Sequence, residues 1–196
     1  MDYSYLLRRL HSLSGLFPIG LFIFIHFTIN SLLGVGSLEF NNVVAVLHKV
    51  PYLWILELLI LGGFLFHAVY GIYIVFSAKN NVTSYSNLRN WLFLLQRITA
   101  IVIVFFVLYH LITLKLSGFR VEYQTVKDAL SGPISLGVLI IGGLATIIHF
   151  TNGFSTWLIS WGITSGKRSQ SFFAYAAVII FALLALMGIR ILSFLV

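Results

Sequence analysis

Five long apolar segments dominate this sequence, and their length decides the environment in which the chain can fold. They lie at about 13–33, 52–78, 92–116, 133–160 and 172–195. A helix rises 1.5 Å per residue, so about 20 apolar residues cross the roughly 30 Å hydrocarbon core of a bilayer. Only 9% of the residues are charged, whereas soluble domains carry about 25%. The sequence therefore predicts an all-α integral membrane bundle of five transmembrane helices in the lipid bilayer, with residues 1–196 forming one domain.

The basic residues predict orientation rather than nucleic-acid binding. The net charge is +7 at pH 7, but Lys and Arg occur singly or in pairs between apolar segments, so they form no nucleic-acid footprint. Basic residues next to spans favour the cytoplasmic side. With the N-terminus inside, the inner side carries Arg8, Arg9, Lys79, Arg89, Lys167 and Arg168, and the outer side carries Lys49, Lys115, Arg120 and Lys127. We therefore expect a cytoplasmic N-terminus, an uncleaved first span and an outside C-terminus.

The chain contains no cysteine. This excludes disulfides, thiolate-held iron–sulfur clusters and haem attached through thioether bonds. Any iron cofactor of this chain must therefore be held by other side chains, and histidine is the first candidate.

Four of the six histidines lie inside the predicted spans, where ionisable side chains are rare and generally functional. They are His26, His67, His110 and His149, one in each of the first four spans. The helical rise places His26 and His110 in an outer layer and His67 and His149 in an inner layer, roughly 15–20 Å apart. Two imidazoles facing each other can close both axial positions of a haem iron, which then transfers electrons. The alternative is a transporter whose histidines relay protons without haem.

Small residues next to two of these histidines are compatible with a flat macrocycle. Gly63 and Gly71 lie four residues before and after His67, on the same helix face. Ala145 and Gly153 flank His149 in the same way. Ordinary small-residue helix packing explains either pattern equally well when it is taken alone.

Several polar residues are candidates for contacts with the cofactor or a substrate. Arg97 is the best partner for a haem propionate on the inner side, and Arg8, Arg9 and Ser14 are others. The alternative for the arginines is snorkelling to lipid headgroups. Glu57, the one acid within a predicted span, is a candidate for quinone protonation or for pairing with an interfacial cation. His11, just before the first span, and His48, in the first outer loop, are interpreted as interfacial residues.

Four stretches resemble the cytochrome b subunit of succinate dehydrogenase, in its single-chain, two-haem (b558-type) form from Gram-positive bacteria. They are RRLHSLSGLFPIG (8–20), HAVYGIYIVFSAKNN (67–81), RNWLFLLQRITAI (89–101) and IIHFTNGFSTWLISWGIT (147–164). The resemblance covers nearly the whole chain and is weakest in the outer loops and the fifth span.

The resemblance implies a bacterial cytoplasmic-membrane anchor for a flavoprotein and an iron–sulfur subunit. It implies two haem b groups that pass electrons to menaquinone, with the family's four ligands falling on His26, His67, His110 and His149. His67 and His149 would hold the haem nearer the iron–sulfur subunit. The family also contains fumarate reductases, which run the same route in reverse. A third possibility is a structural anchor in which haem binds but quinone reacts elsewhere.

Overall fold

The structure, a computed structural model, describes residues 3–77, 79 and 81–195. Within this part of the chain all regular elements are helical, and five helical segments are long and apolar enough to cross a membrane. These segments, called spans one to five below, are Tyr3–Gly34, Leu53–Ser77, Leu88–Lys115, Pro133–Ser160 and Lys167–Ser193. The predicted all-helical bundle of five spans is confirmed. The predicted end of span two, residue 78, lies outside the described residues.

Span one is longer than the sequence predicted and is divided by a proline. Its helices are Tyr3–Leu16 and Pro18–Ser31, followed by the 3-10 turn Leu32–Gly34. The division falls at Pro18. Proline has no N–H to donate, so it interrupts a continuing helix but is favoured at the first position of a new one. The predicted start at residue 13 was wrong by ten residues, because the helix continues through the polar stretch that contains His11. His11 therefore lies within span one rather than before it.

Two other spans also begin earlier than their apolar segments. Span three begins at Leu88 rather than 92, where the side chain of Asn87 accepts a hydrogen bond from the backbone N–H of Asn90 at 3.1 Å. Such a cap satisfies a helix-terminal donor, so the helix extends beyond the hydrophobic residues. Span five begins at Lys167 rather than 172. Span three also ends in a π turn, Leu111–Lys115, immediately after His110.

The spans alternate in direction, and side-chain contacts tie their ends together. At the end of the bundle where span one begins, the amino-terminal end, Arg9 Nη1 donates to the carbonyl of Ser160 at 2.6 Å. At the opposite end, Lys115 Nζ lies 2.9 Å from the carboxylate of Glu57. Span one packs on span two, span three on span four, and span four on span five. This arrangement leaves spans one to four around a common interior.

Two short helices, Ser37–Leu47 and Tyr123–Leu130, cover the opposite end of the bundle. Both segments fall within the predicted outer loops. They are joined by a hydrogen bond from the backbone N–H of Tyr123 to the side chain of Asn41, at 2.9 Å. Beneath them lies a buried apolar cluster: Leu33, Phe40, Val44, Val126, Leu130, Phe194 and Leu195. The length of an apolar segment does not reveal these helices, because 11 and 8 residues are too few to cross a bilayer.

Candidate haem-binding site

The four histidines of the spans form two facing pairs. The imidazole centroids of His26 and His110 are 5.7 Å apart with an interplanar angle of 81°. Those of His67 and His149 are 6.3 Å apart with an angle of 83°. The partners are therefore those expected from depth alone. All four side chains line one cavity of about 490 Å³ between spans one to four.

The ring of His67 is held in place by span one. Its Nδ1 lies 2.9 Å from the carbonyl oxygen of His11 and 3.3 Å from Ser14 Oγ. A carbonyl oxygen only accepts, so Nδ1 carries the ring proton and Nε2 keeps its lone pair. This is the tautomer that metal-binding histidines adopt when their second nitrogen donates to a backbone carbonyl.

The ring of His149 is held in the same manner by span three. Its Nδ1 lies 3.1 Å from the carbonyl oxygen of Gln96 and 3.2 Å from Thr99 Oγ1. The Gln96 side chain donates back to the carbonyl of His149 at 3.1 Å and accepts from Asn152 Nδ2 at 2.7 Å. These bonds fix the rotation of span four against span three and leave Nε2 of His149 available as a ligand.

The rings of His26 and His110 have aromatic rather than polar neighbours. The ring of Phe22 lies 5.0 Å from that of His26, and the ring of Phe106 lies 5.5 Å from that of His110. Among the described residues no hydrogen bond reaches a ring nitrogen of either histidine. The two pairs therefore differ in how firmly the protein fixes their imidazoles.

His11, which was interpreted from the sequence as an interfacial residue, lines the cavity. Its ring stacks on that of His67, with centroids 4.1 Å apart and an interplanar angle of 11°. Close helix approach makes this possible: a Cβ on Gly15 would lie 2.5 Å from His67 Cε1, and one on Gly71 would lie 3.1 Å from His11 Nε2. The signal in the sequence was the four-residue spacing of His11 and Gly15, which puts both on one face of a helix.

The small residues beside the histidines serve helix packing. A Cβ on Gly63 would lie 3.2 Å from Pro18 Cγ, and one on Gly153 would lie 3.2 Å from Gln96 Nε2. Ala145 is itself buried. At Gly63 and Gly153 a side chain of the neighbouring span already fills the space beside the glycine. Ordinary small-residue helix packing therefore explains these two positions.

Three nitrogen-bearing side chains line the cavity with buried atoms that have no partner among the described residues. These atoms are Nε and Nη2 of Arg97, Nε1 of Trp157 and Nε2 of His11. Arg97 is only 9% exposed, and its guanidinium lies 4.0 Å from the ring centroid of Phe93. A buried polar group left unpaired costs about 1–3 kcal/mol, and more when it is charged. The cavity is therefore suited to a ligand that brings hydrogen-bond acceptors, above all an anionic one.

Of the other predicted cofactor contacts, Arg8 and Arg9 lie outside the cavity lining, whereas Ser14 lies beside one of the cavity histidines. Arg8 is exposed at the amino-terminal end. Besides its bond to the end of span four, Arg9 donates to Tyr5 Oη at 2.9 Å and its guanidinium lies 5.0 Å from the ring of Trp161. Ser14 contacts the ring of His67. Arg9 thus joins spans one and four, and Ser14 supports a predicted ligand.

Glu57 forms an ion pair at the opposite end of the bundle. Both carboxylate oxygens accept from Lys115 Nζ, at 2.9 and 3.0 Å, and the Glu57 side chain is 43% exposed. The structure therefore contains the ion pair with a cation that was one of the two interpretations of Glu57. His48 Nδ1 lies 2.8 Å from the carbonyl oxygen of Val44, a local contact at a helix end.

Comparison with known proteins gives two matches. A model of the family described as "Succinate dehydrogenase/Fumarate reductase transmembrane subunit" matches residues 77–189, which include His110 and His149. The chain is also 40% identical over 187 residues to the "Succinate dehydrogenase cytochrome b558 subunit" of Bacillus subtilis (strain 168), covering 93% of each chain. Because the second match covers 93% of the chain, it reaches into the first two spans, which carry His26 and His67.

Proposed function

Since this chain belongs to the succinate dehydrogenase/fumarate reductase transmembrane subunit family, we propose that it is the haem-binding, quinone-reacting anchor of such a complex. It would carry two haem b groups, one between His26 and His110 and one between His67 and His149. Electrons would enter from an iron–sulfur partner subunit and leave to menaquinone, while a flavoprotein subunit performs the dicarboxylate chemistry. Haem b held by two imidazoles would supply one-electron transfer rather than bind a substrate.

The observation that carries this proposal is the pair of facing imidazole couples in one apolar cavity. In the couple of His67 and His149 both rings expose Nε2 because Nδ1 donates to a carbonyl. A proton relay would need imidazoles that can take up and release protons on either nitrogen. The fixed tautomer favours metal ligation over the transporter alternative.

The unpartnered nitrogen atoms of the cavity fit the carboxylate edge of a haem. Arg97 is the proposed propionate partner, and the indole N–H of Trp157 is a second donor in the same cavity. Charge-assisted bonds from a guanidinium to a carboxylate are about twice as strong as neutral ones. Bound propionates would thus remove the cost of the unpaired Arg97 guanidinium.

The remaining residues of the site keep water away from the cofactors. Apolar side chains form most of the cavity wall, and at its far end Leu33 packs in one buried cluster with Phe40 of the first short helix; these two residues are 2% and 1% exposed. A dry surrounding strengthens each electrostatic interaction inside it. It also limits the rearrangement of solvent when an electron arrives or leaves.

Orientation and the quinone site belong to the same proposal. The excess of basic residues at the amino-terminal end supports a cytoplasmic N-terminus, with the soluble subunits docked at that end of the bundle. Glu57, at the opposite end, would exchange protons with menaquinone on the outer side of a bacterial cytoplasmic membrane. Operation as a quinol:fumarate reductase would use the same residues in the reverse direction.

A reduced-minus-oxidised spectrum of the purified chain, with haem counted per polypeptide, tests the proposal. We expect two low-spin haems. His67→Ala or His149→Ala should remove one of them, and His26→Ala or His110→Ala the other. Absence of a Soret band in the wild-type protein would favour the proton-relay alternative. Loss of both haems from every single substitution would contradict the assignment of two separate pairs.

A further inference from the structure

Two hydroxyl groups occupy equivalent positions beside one histidine couple. Ser14 Oγ lies 3.3 Å from Nδ1 of His67, and Thr99 Oγ1 lies 3.2 Å from Nδ1 of His149. In each case the carbonyl three residues earlier in the same helix bonds to the same ring nitrogen, at 2.9 and 3.1 Å. The same arrangement thus occurs twice, once on span one and once on span three: a backbone carbonyl, and a hydroxyl three residues later, both contact Nδ1 of one histidine.

The protons in both arrangements can be assigned. Ser14 Oγ donates its own proton to the carbonyl of His11 at 2.9 Å. Thr99 Oγ1 donates to the carbonyl of Leu95 at 2.7 Å. Each hydroxyl proton is therefore already engaged, and the lone pairs of the hydroxyl oxygen face the ring N–H. Both hydroxyls act as second acceptors for an Nδ1–H that also donates to a carbonyl.

We propose that Ser14 and Thr99 are positioning residues that set the electron-donating strength of His67 and His149 toward the haem iron between them, an inference that rests on the proposed function. A bond from Nδ1–H to an acceptor raises the basicity of the ligand nitrogen. A more basic ligand stabilises oxidised iron, and hydrogen bonding around the ligands is one of the means by which a protein adjusts a haem potential. Loss of either hydroxyl should therefore raise the midpoint potential of this haem.

The effect should be confined to one haem. His26 and His110 have no hydrogen bond to a ring nitrogen within the described part of the chain, and their neighbours Phe22 and Phe106 have no acceptor to offer. Ser14 and Thr99 therefore act on one couple only. This selectivity separates a specific effect on the ligands from a general loosening of the bundle.

The experiment is a spectroelectrochemical redox titration of the purified complex with Ser14→Ala, Thr99→Val or both. We expect one haem component to shift to higher potential in each single variant and further in the double variant, while the second component stays at its wild-type midpoint. Ser31→Ala and Thr151→Val are matched controls. Ser31 donates to the carbonyl three residues earlier at 2.7 Å, and Thr151, 6% exposed, to the carbonyl four residues earlier at 2.8 Å.

Thr99→Ser keeps the hydroxyl and should restore the wild-type midpoint. If Thr99→Val loses this haem altogether, the comparison with Thr99→Ser decides. A haem retained in Thr99→Ser supports the proposal, and a haem lost from both variants overturns it. Two bound haems with unmoved midpoints in the double variant also overturn it, as does an equal shift of both components. A wild-type chain without haem would instead remove the proposed function itself, so the two failures are distinguishable.

Discussion

The imidazole of His11 lies flat against that of His67, with ring centroids 4.1 Å apart and only 11° between the planes. Because two histidines are stacked here, either could be the proposed haem ligand. Nδ1 of His67 is bonded to a carbonyl, so its Nε2 is held toward the cavity and the ring of His149. Nε2 of His11 is buried, and Gly71 leaves the space beside it. The geometry favours His67 as the ligand and His11 as its support.

Substitution of the two stacked histidines should have different results. His11→Phe keeps a flat ring on His67 and keeps the backbone carbonyl that accepts from its Nδ1, so we expect two haems per chain. His67→Phe removes the ligand nitrogen, so we expect one. Pyridine haemochrome analysis of both purified variants measures the ratio. One haem in His11→Phe together with two in His67→Phe would make His11 the ligand.

Arg97→Met should change the stability of the loaded and empty protein in opposite directions. In the empty chain the guanidinium is buried with two unpartnered nitrogens, and an uncompensated buried charge is strongly destabilising. Removing it should stabilise the empty chain, whereas loss of the proposed propionate contact should weaken haem retention by about 1–3 kcal/mol. Thermal unfolding in detergent, with and without haem, gives both quantities.

Arg89→Met is the control for this variant. Arg89 lies on the same span but is exposed and donates to Gln170 at 2.7 Å. It should leave haem retention unchanged. Equal loss of haem from Arg89→Met and Arg97→Met would remove the propionate assignment.

The ion pair of Glu57 and Lys115 allows the carboxylate to be tested apart from the pair. Both side chains are partly exposed, 43% and 55%, so breaking the pair should cost at most about 1 kcal/mol. If the Glu57 carboxylate exchanges protons with quinone, Glu57→Gln should slow quinone reduction while Lys115→Met leaves it near the wild-type rate. Succinate:quinone activity of the reconstituted complex measures the rate. An equal loss in both variants would assign the effect to the ion pair.

Gly15→Ala should disrupt the haem that we propose between His67 and His149. The added Cβ would lie 2.5 Å from His67 Cε1, so span one or the imidazole must move. Overpacking of this kind typically costs about 1–3 kcal/mol, and we expect the haem-to-chain ratio to fall toward one. Gly62→Ala meets no atom within 4 Å and should stabilise span two by up to about 1 kcal/mol. A full complement of haem in Gly15→Ala would show that span one adjusts freely.

The lengths of the apolar segments were sufficient to predict five spans, because the thickness of a bilayer imposes a minimum number of residues. They did not give the ends of the helices. The helix of span one includes polar residues before residue 13, such as Arg9, which finds a partner on span four. Hydropathy contains no information on hydrogen bonds between spans. The helical turns before residue 13, which include His11, were therefore not predictable from it.

The sequence by itself determined which histidines share a height in the bundle, because height along a helix depends only on residue number and the rise per residue. That was enough to predict the couples His26 with His110 and His67 with His149. Only the tertiary structure decided what surrounds each ring: His11 stacked on His67, and Ser14 turned toward the ring of His67. Those contacts depend on how each helix is rotated and bent against its neighbours, and packing between spans sets both.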